Sequence, residues 1–444
     1  MNQPCYLVAG LGKTGQSIAR YLKRRNEPFI AFDTRTQIEG LADFHSEFPG
    51  VDVFLGQMPA TVYPHLKAVI TSPGVSLEEP FLKQATACGI PVYGDIECLV
   101  REITAPVIAI TGTNGKSTVT MLVGEMAKAA GLRVAVAGNI GNPVLDLLDD
   151  GIHYDVWVLE LSSFQLDLTH SLAAKAATIL NITPDHLDRH HTMTAYTESK
   201  QRIYRQADLL IYNREDKATA PLAYDAGRIS FGLDKPEPGQ WGIINDGKES
   251  FLACGDELIL AVDKLHIKGT HNWQNALAAC ALAKALGIGR EAMVTVLTTF
   301  AGLPHRCQWV RTLQGVDWIN DSKGTNIGAT QSAISGIGGA IQGKIVLIAG
   351  GLGKGADFTD LRQPVSRYVR SMVLIGTDAD KIDKAVGDLV PVLHAASLDD
   401  AIIQAKNQAQ AGDVVLLSPA CASMDMFRDF NHRGELFANL VGQL

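Results

Sequence analysis

Cysteine is sparse and unpatterned in this chain. Seven occur in 444 residues, at Cys5, Cys88, Cys98, Cys254, Cys280, Cys307 and Cys421, and no two form a C-x-x-C pair. An odd, scattered set excludes a disulfide framework and a zinc ribbon, and fits thiols kept reduced in the cytosol. Long apolar runs are lacking too. No stretch reaches the ~18–20 apolar residues that a membrane-spanning helix needs. The opening Met1-Asn2-Gln3-Pro4 has neither a basic n-region nor a cleavage site. The expectation is a cytoplasmic chain without membrane insertion. Positive charge is in deficit: 39 Lys and Arg stand against 47 Asp and Glu, a formal net charge of −8. A nucleic-acid partner would want the opposite balance. The one basic cluster, Lys23-Arg24-Arg25, follows the apolar helical pattern Ser17–Leu22 and reads as a solvated helix end. Internal repeats and low-complexity tracts are absent.

What is there is α/β alternation on a length that suggests about three domains. Tyr6–Ala9, Phe29–Phe32, Val69–Ile70 and Val92–Tyr93 read as strands separated by helices, a βαβ series with a parallel sheet. A second series starts at Val107–Ile110 and continues through Val134–Ala137, Val156–Leu159, Ala177–Leu180 and Leu209–Tyr212. The polar stretch Asp234–Gly247 reads as loops or a small antiparallel insertion. Asn272–Leu286 is an Ala-rich, amphipathic helix that Gly287 would cap. A third series takes Val316–Ile319, Ile345–Ile348, Ser371–Ile375 and Val414–Leu417. Boundaries near 97 and 303 follow, giving domains 1–97, 98–303 and 304–444. Clefts between such domains are where small ligands bind.

The strongest local signal is Thr111-Gly112-Thr113-Asn114-Gly115-Lys116-Ser117-Thr118, between the strand Val107–Ile110 and the helical run Val119–Ala130. Glycines let backbone N–H groups turn toward phosphate oxygens, and the helix N-terminus adds partial positive charge. Lys116 can reach the β- and γ-phosphates, and the Ser117 hydroxyl can ligate Mg²⁺. Ile110 stands where the general phosphate-loop pattern has its first glycine, so that match is incomplete. Glu160 ends the apolar strand Val156–Leu159, where a nucleotide site holds Mg²⁺. His186, in Thr183-Pro184-Asp185-His186-Leu187-Asp188-Arg189-His190, can ligate a second cation or orient substrate. Asn320-Asp321-Ser322-Lys323-Gly324-Thr325-Asn326 offers an acid for a ribose or adenine. Gly350-Gly351-Leu352-Gly353-Lys354-Gly355 is another glycine loop, suited to a carboxylate or phosphate. Gly10-Leu11-Gly12-Lys13-Thr14-Gly15 fits G-x-G-x-x-G behind a strand, and Asp33 follows eighteen positions after Gly15. That spacing by itself says dinucleotide site, yet a simple dehydrogenase has no need of the second phosphate loop.

Together these motifs resemble the Mur ligases of peptidoglycan synthesis. The residues concerned are Gly112–Thr118, Glu160-Leu161-Ser162-Ser163-Phe164-Gln165, Asn181–Asp188, His271-Asn272, Leu303-Pro304-His305-Arg306 and Asn320–Lys323, in family order over nearly the whole chain. Leu417-Ser418-Pro419-Ala420-Cys421-Ala422-Ser423-Met424-Asp425, with Asp33-Thr34-Arg35, narrows the resemblance to the branch that adds D-glutamate to UDP-N-acetylmuramoyl-L-alanine.

The resemblance implies an ADP-forming ligase with a Rossmann-like N-terminal domain, a central P-loop-type ATPase domain and a Rossmann-like C-terminal domain. It implies that Gly12, Lys13, Thr14, Gly15, Thr34, Arg35 and Ser72 hold the UDP part. Asn139, Ser162, Gln165 and His186 would meet the muramoyl-alanine end. ATP would lie on Gly112–Thr118 with Asn272, Asn275, Arg306 and Asp321, and D-glutamate on Lys323, Thr325, Lys354, Ser423 and Phe430. Lys116, Glu160, His186, Lys200 and Arg306 would be catalytic, with Ser117, Glu160, His186 and a carbamylated Lys200 holding two Mg²⁺ ions. By itself Lys200 reads as a solvent lysine. A monomer working on small molecules is expected. The alternative is a related Mur or folylpolyglutamate-type ligase with another amino acid. The N-terminal glycine loop argues against the folylpolyglutamate type, whose chains start at the ATPase domain.

Overall fold

The computed structural model describes residues 4–444 other than 39, 223–225, 268 and 340. The opening Met1-Asn2-Gln3 therefore lies outside the described residues. Three sheets follow one another along the chain.

The first is parallel throughout, in the order β3-β2-β1-β4-β5: β1 (Cys5–Ala9), β2 (Phe29–Asp33), β3 (Val53–Leu55), β4 (Leu66–Thr71) and β5 (Val92–Tyr93). Strands covered on both faces carry unbroken apolar runs, and Leu7, Val8 and Ala9 are fully buried. The edge strand β3 is half-buried and only three residues long, Val53-Phe54-Leu55.

The second sheet runs β14-β13-β12-β11-β10-β9-β6-β8-β7. Its strands are β6 (Val107–Thr111), β7 (Val134–Gly138), β8 (Val156–Glu160), β9 (Ala176–Ile179), β10 (Leu209–Asn213), β11 (Gly227–Phe231), β12 (Trp241–Asn245), β13 (Ser250–Cys254) and β14 (Glu257–Ala261). The last three form an antiparallel ladder, so the insertion rather than the loop reading of Asp234–Gly247 describes β12. The helix Thr270–Ala285 departs from its expected amphipathic character. Asn275 through Ala283 are all buried, because the helix packs against the helix Lys116–Ala129 and the sheet in one core. A helix apolar all round is a buried one. Gly287 takes φ +77°, and the Ile288 amide returns to the Ala283 carbonyl, which ends the helix as expected.

The third sheet runs β15-β16-β20-β17-β18-β19: β15 (Gln308–Leu313), β16 (Val316–Asn320), β17 (Ile345–Gly350), β18 (Val369–Ile375), β19 (Val392–His394) and β20 (Val414–Leu417). Only the β15–β16 pair is antiparallel.

The basic cluster does end the helix Lys13–Arg24, with Lys23 and Arg24 exposed, but two of its three cations are ion-paired. Arg24 Nε donates to Asp149 Oδ2 at 2.7 Å, and Arg25 bonds both Asp149 (3.0 Å) and Glu102 (2.8 Å). Arg20, one turn earlier, grips Asp146 at 2.7 Å. The helix Lys13–Arg24 of the first sheet is thus ion-paired to the region around Val144–Leu148, which follows β7 of the second. Charge complementarity across that seam, invisible in a single chain segment, decides the outcome. No helix among the described residues is long and apolar enough to cross a membrane.

Candidate active site

Parallel strands send their C-terminal ends to one edge, and ligands of open α/β sheets bind there. In the second sheet β6 lies between β9 and β8, with β7 beyond, so the segments after these four strands converge. Gly115 takes φ +83° directly before the helix Lys116–Ala129, and a Cβ there would lie 2.4 Å from Asn275 Oδ1. The loop is braced from after β9: Asn181 Oδ1 accepts the Asn114 amide at 2.8 Å, and Thr113 Oγ1 meets the Tyr196 hydroxyl at 3.1 Å. Lys116 Nζ donates to the carbonyls of Gly112 (2.9 Å) and Thr113 (2.8 Å). Burial lowers its pKa, and the nearby Arg306 pushes the same way against the pull of Glu160.

Glu160 ends β8. Its Oε1 accepts Asn139 Nδ2 at 3.0 Å, while Oε2 is buried with no protein partner. Lys200, on the helix Met193–Gln201, is not a solvent lysine. It is 2% exposed, and its Nζ donates to the Gly112 carbonyl (2.9 Å) and Thr111 Oγ1 (3.3 Å). Burial, and then Lys116, drive its pKa well below the usual lysine range, which favours a neutral amine. His186 stands edge-on to Phe164, with ring centres 5.0 Å apart, and burial lowers its pKa against the pull of Asp185.

Lys116, Asn139, Glu160, Ser162, His186 and Lys200 line a cavity of about 430 Å³. Pro73 and Gly74 of the first sheet's loops and Arg306, Lys323, Thr325 and Lys354 of the C-terminal part close it. A second cavity of about 260 Å³ is lined by Thr118, His271, Asn272, Asn275 and Asp321. Asn114, Gly115, Arg306 and Lys323 line both. The two volumes therefore meet at the loop Asn114-Gly115. Arg306 Nη2 donates to Ser117 Oγ at 2.8 Å, joining the C-terminal part to the loop.

Among the described residues no group of three or more His, Cys, Asp and Glu forms a metal site on its own. A buried carboxylate oxygen without a protein partner, on a residue that lines the cavity with Lys116, suits Mg²⁺, which is commonly held by one or two carboxylates together with substrate phosphates.

Three family models match: the Mur ligase MurD-like N-terminal domain over residues 5–94, the Mur ligase middle domain over 110–283, and the Mur ligase glutamate ligase domain over 305–421. The chain belongs to the Mur ligase family. It is 65% identical, over 99% of both chains, to the UDP-N-acetylmuramoylalanine–D-glutamate ligase of Legionella pneumophila strain Paris. It is 50% identical to the protein of that name from Pseudomonas aeruginosa, over 99% of this chain and 98% of the relative. The solved UDP-N-acetylmuramate-alanine ligase of Thermotoga maritima shares the fold with a TM-score of 0.62 at 18% identity, over the full length of both. A Mur ligase is an ATP-dependent, ADP-forming amide ligase that works with Mg²⁺.

The family frame locates the remaining expected residues. Gly12, Lys13, Thr14, Thr34, Arg35 and Ser72 gather after β1, β2 and β4, on one edge of the first sheet. Gly15 is obligatory there, since a Cβ would stand 1.8 Å from the Gly10 carbonyl oxygen. Asp33 is not free for a ribose. Its carboxylate accepts the Leu11 amide and the Arg35 guanidinium, each at 2.8 Å. Burial alone would raise its pKa, but these bonds outweigh burial and hold it at about 2. That lies below the ~3.9 of an unfolded aspartate. Asp33 therefore stabilises the fold above pH ~4, and its contribution is lost as the pH falls toward ~2. Asp33→Asn is expected to flatten the acid limb of urea midpoint against pH in that window. Superimposable limbs would disprove the account.

Gln165 has a structural use. It is buried, and its Oε1 accepts the Ser162 amide (3.0 Å) and hydroxyl (3.1 Å) in a capping box on the helix Ser163–Asp167, so it fixes Ser162, and it is not in the wall of either cavity. Asp321 lines the cavity of about 260 Å³, but its oxygens already accept Ser418 Oγ (2.7 Å) and the Cys307 amide (3.1 Å), and burial pushes its pKa up to about 6. Ser423 is buried outside both cavity walls. Phe430 approaches the site through Lys323, whose ammonium lies 3.8 Å from its ring centre and whose pKa burial lowers to about 8. Sequence reasoning missed Tyr196, which supports Thr113, and gave His271 no role. His271 is half-buried, its Nδ1 is buried and unpartnered, and burial lowers its pKa to about 4.

Proposed function

We propose that this chain joins D-glutamate to UDP-N-acetylmuramoyl-L-alanine through an acyl phosphate. One observation carries the site reading: the partnerless Glu160 Oε2 lies in one cavity wall with Lys116 and Lys200, at the phosphate loop. A carboxylate is a poor electrophile because its leaving group would be oxide. Its oxygen bonds the γ-phosphorus of ATP, the bond to ADP breaks, and the acyl phosphate gains a good leaving group. The D-glutamate amine then attacks the acyl carbon, a tetrahedral adduct forms, phosphate departs, and the amine proton passes to solvent.

Phosphoryl transfer asks for positioning and charge neutralisation, which Lys116 and Arg306 supply. Two Mg²⁺ ions, when bound, would neutralise phosphate charge, one at Ser117 and Glu160 and one at His186 and Lys200. A neutral Lys200 amine can take up CO₂ and lose a proton to become a carbamate, an anionic oxygen ligand in place of a cation. Asn139, Ser162 and His186 would hold the muramoyl-alanine end, and Gly12–Gly15, Thr34, Arg35 and Ser72 the UDP end. Asn272, Asn275 and Asp321 would lie at the adenosine, and Lys323, Thr325, Lys354, Ser423 and Phe430 at D-glutamate. Exclusion of water by the C-terminal part protects the acyl phosphate. We set the domain limits near 97 and 303, and read the enzyme as a cytoplasmic monomer.

Phosphate release measured across a panel of amino acids tests the function. Release is expected only when ATP, UDP-N-acetylmuramoyl-L-alanine and D-glutamate are all present. Equal release with L-glutamate, or without any amino acid, would overturn the assignment.

A further inference from the structure

Arg189 lies on the short helix Leu187–His190, directly after His186. Its guanidinium covers the Phe164 ring at 4.7 Å. Its hydrogen bonds leave the central domain altogether. Nη2 donates to the Val75 carbonyl at 2.6 Å and more weakly to Pro73 at 3.5 Å, and Nη1 donates to Gly74 at 3.3 Å. All three carbonyls belong to one turn after β4 of the first sheet. Burial lowers the pKa of this guanidinium, with aspartates 167 and 188 pulling the other way.

The turn is in contact with the first glycine loop. Ser72 Oγ donates to the Gly10 carbonyl at 2.9 Å, and a Cβ on Gly10 would meet Val75 Cγ2 at 2.8 Å. Pro73 and Gly74 also line the cavity that holds Lys116, Glu160 and His186. Arg189 is thus a direct link between the loop assigned above to UDP and the wall assigned to the acyl end. The Arg20, Arg24 and Arg25 ion pairs secure the same seam from farther along the helix Lys13–Arg24. That helix is about 18 Å long at 1.5 Å per residue, so they leave its loop end to Arg189.

We propose that Arg189 is a positioning residue that sets the distance between the diphosphate cradle and the phosphate loop. A substrate anchored by its UDP end then presents its far carboxylate at the γ-phosphate. This rests on the function proposed above. Arg189 touches no reacting atom in this account; it converts remote binding energy into alignment.

The test compares two substrates in wild type, Arg189→Gln and Arg189→Lys. One is UDP-N-acetylmuramoyl-L-alanine, and the other is N-acetylmuramoyl-L-alanine without UDP. With the full substrate, Arg189→Gln is expected to lose ~10–100-fold in kcat while its KM stays within ~3-fold, the cost of a misplacement of about 1 Å. With the fragment, which is not anchored, the loss should stay under ~3-fold. Arg189→Lys, keeping one cation on the same turn, should recover part of kcat. Equal losses on both substrates would overturn the proposal in favour of a local effect on Phe164 and His186, and so would no loss on either. Failure of wild type to turn over the full substrate would refute the function itself, an outcome separate from the variant-to-wild-type ratio.

Discussion

Lys116→Ala is expected to lose at least ~100-fold in turnover, the usual size of one preorganised electrostatic contact in phosphoryl transfer. Lys116 Nζ rests on the carbonyls of Gly112 and Thr113 at 2.9 and 2.8 Å. An arriving triphosphate offers charged oxygens in place of those neutral acceptors. Alanine keeps the helix start intact, because the turn at Gly115 does not depend on the side chain that follows it. The loss should therefore fall on kcat while the protein remains folded by circular dichroism. Near-normal phosphate release by the folded variant would remove the phosphate loop from the mechanism.

Glu160→Gln should be as severe, ~100-fold or more at Mg²⁺ concentrations that saturate wild type. The amide keeps the shape and can still accept the Asn139 bond, but it withdraws an anionic ligand. Part of the loss should return as Mg²⁺ is raised. Stability should fall only modestly, since Oε2 has no hydrogen-bond partner to lose and the charge withdrawn faces the cations of Lys116, Lys200 and Arg306. An unchanged Mg²⁺ dependence would show that Glu160 does not hold the ion. A large drop in melting midpoint would show that it serves the fold instead.

Much of this site could be read in the chain alone because its chemistry sits on strand ends. Lys116 follows a glycine loop after β6, and Glu160 closes the apolar run of β8. Strand, loop and residue type coincide within a few positions, so a local pattern suffices. Lys200 shows the limit. Its neighbours Glu198 and Ser199 suggest solvent, and only the packing of the helix Met193–Gln201 beneath Thr111 and Gly112 buries it. Arg24, Arg25 and Arg189 share that limit, since their partners lie more than seventy positions away along the chain. Gln165 is different. Ser162-x-x-Gln165 is a capping-box pattern, so the structural use of this glutamine was legible and was passed over for a substrate role. The edge strands β3 and β19 escaped because three residues are too short a run to stand out, and β15 because polar residues interrupt its apolar ones, as a strand covered on one face allows.

Under the adenosine assignment proposed above, the all-round burial of Asn275–Ala283 has a consequence for nucleotide choice. Asn272 and Asn275 look into the purine-sized hollow from a rod whose next eight residues, Ala276 through Ala283, have no open side. An added methyl along that rod has nowhere to go, and close-packed interiors resist such growth. Retuning the hollow for another base by sliding or tilting the rod would dismantle the central domain's interior. Base preference in this enzyme is anchored in its foundations, and any drift must come through the asparagine tips themselves or from the opposing C-terminal wall.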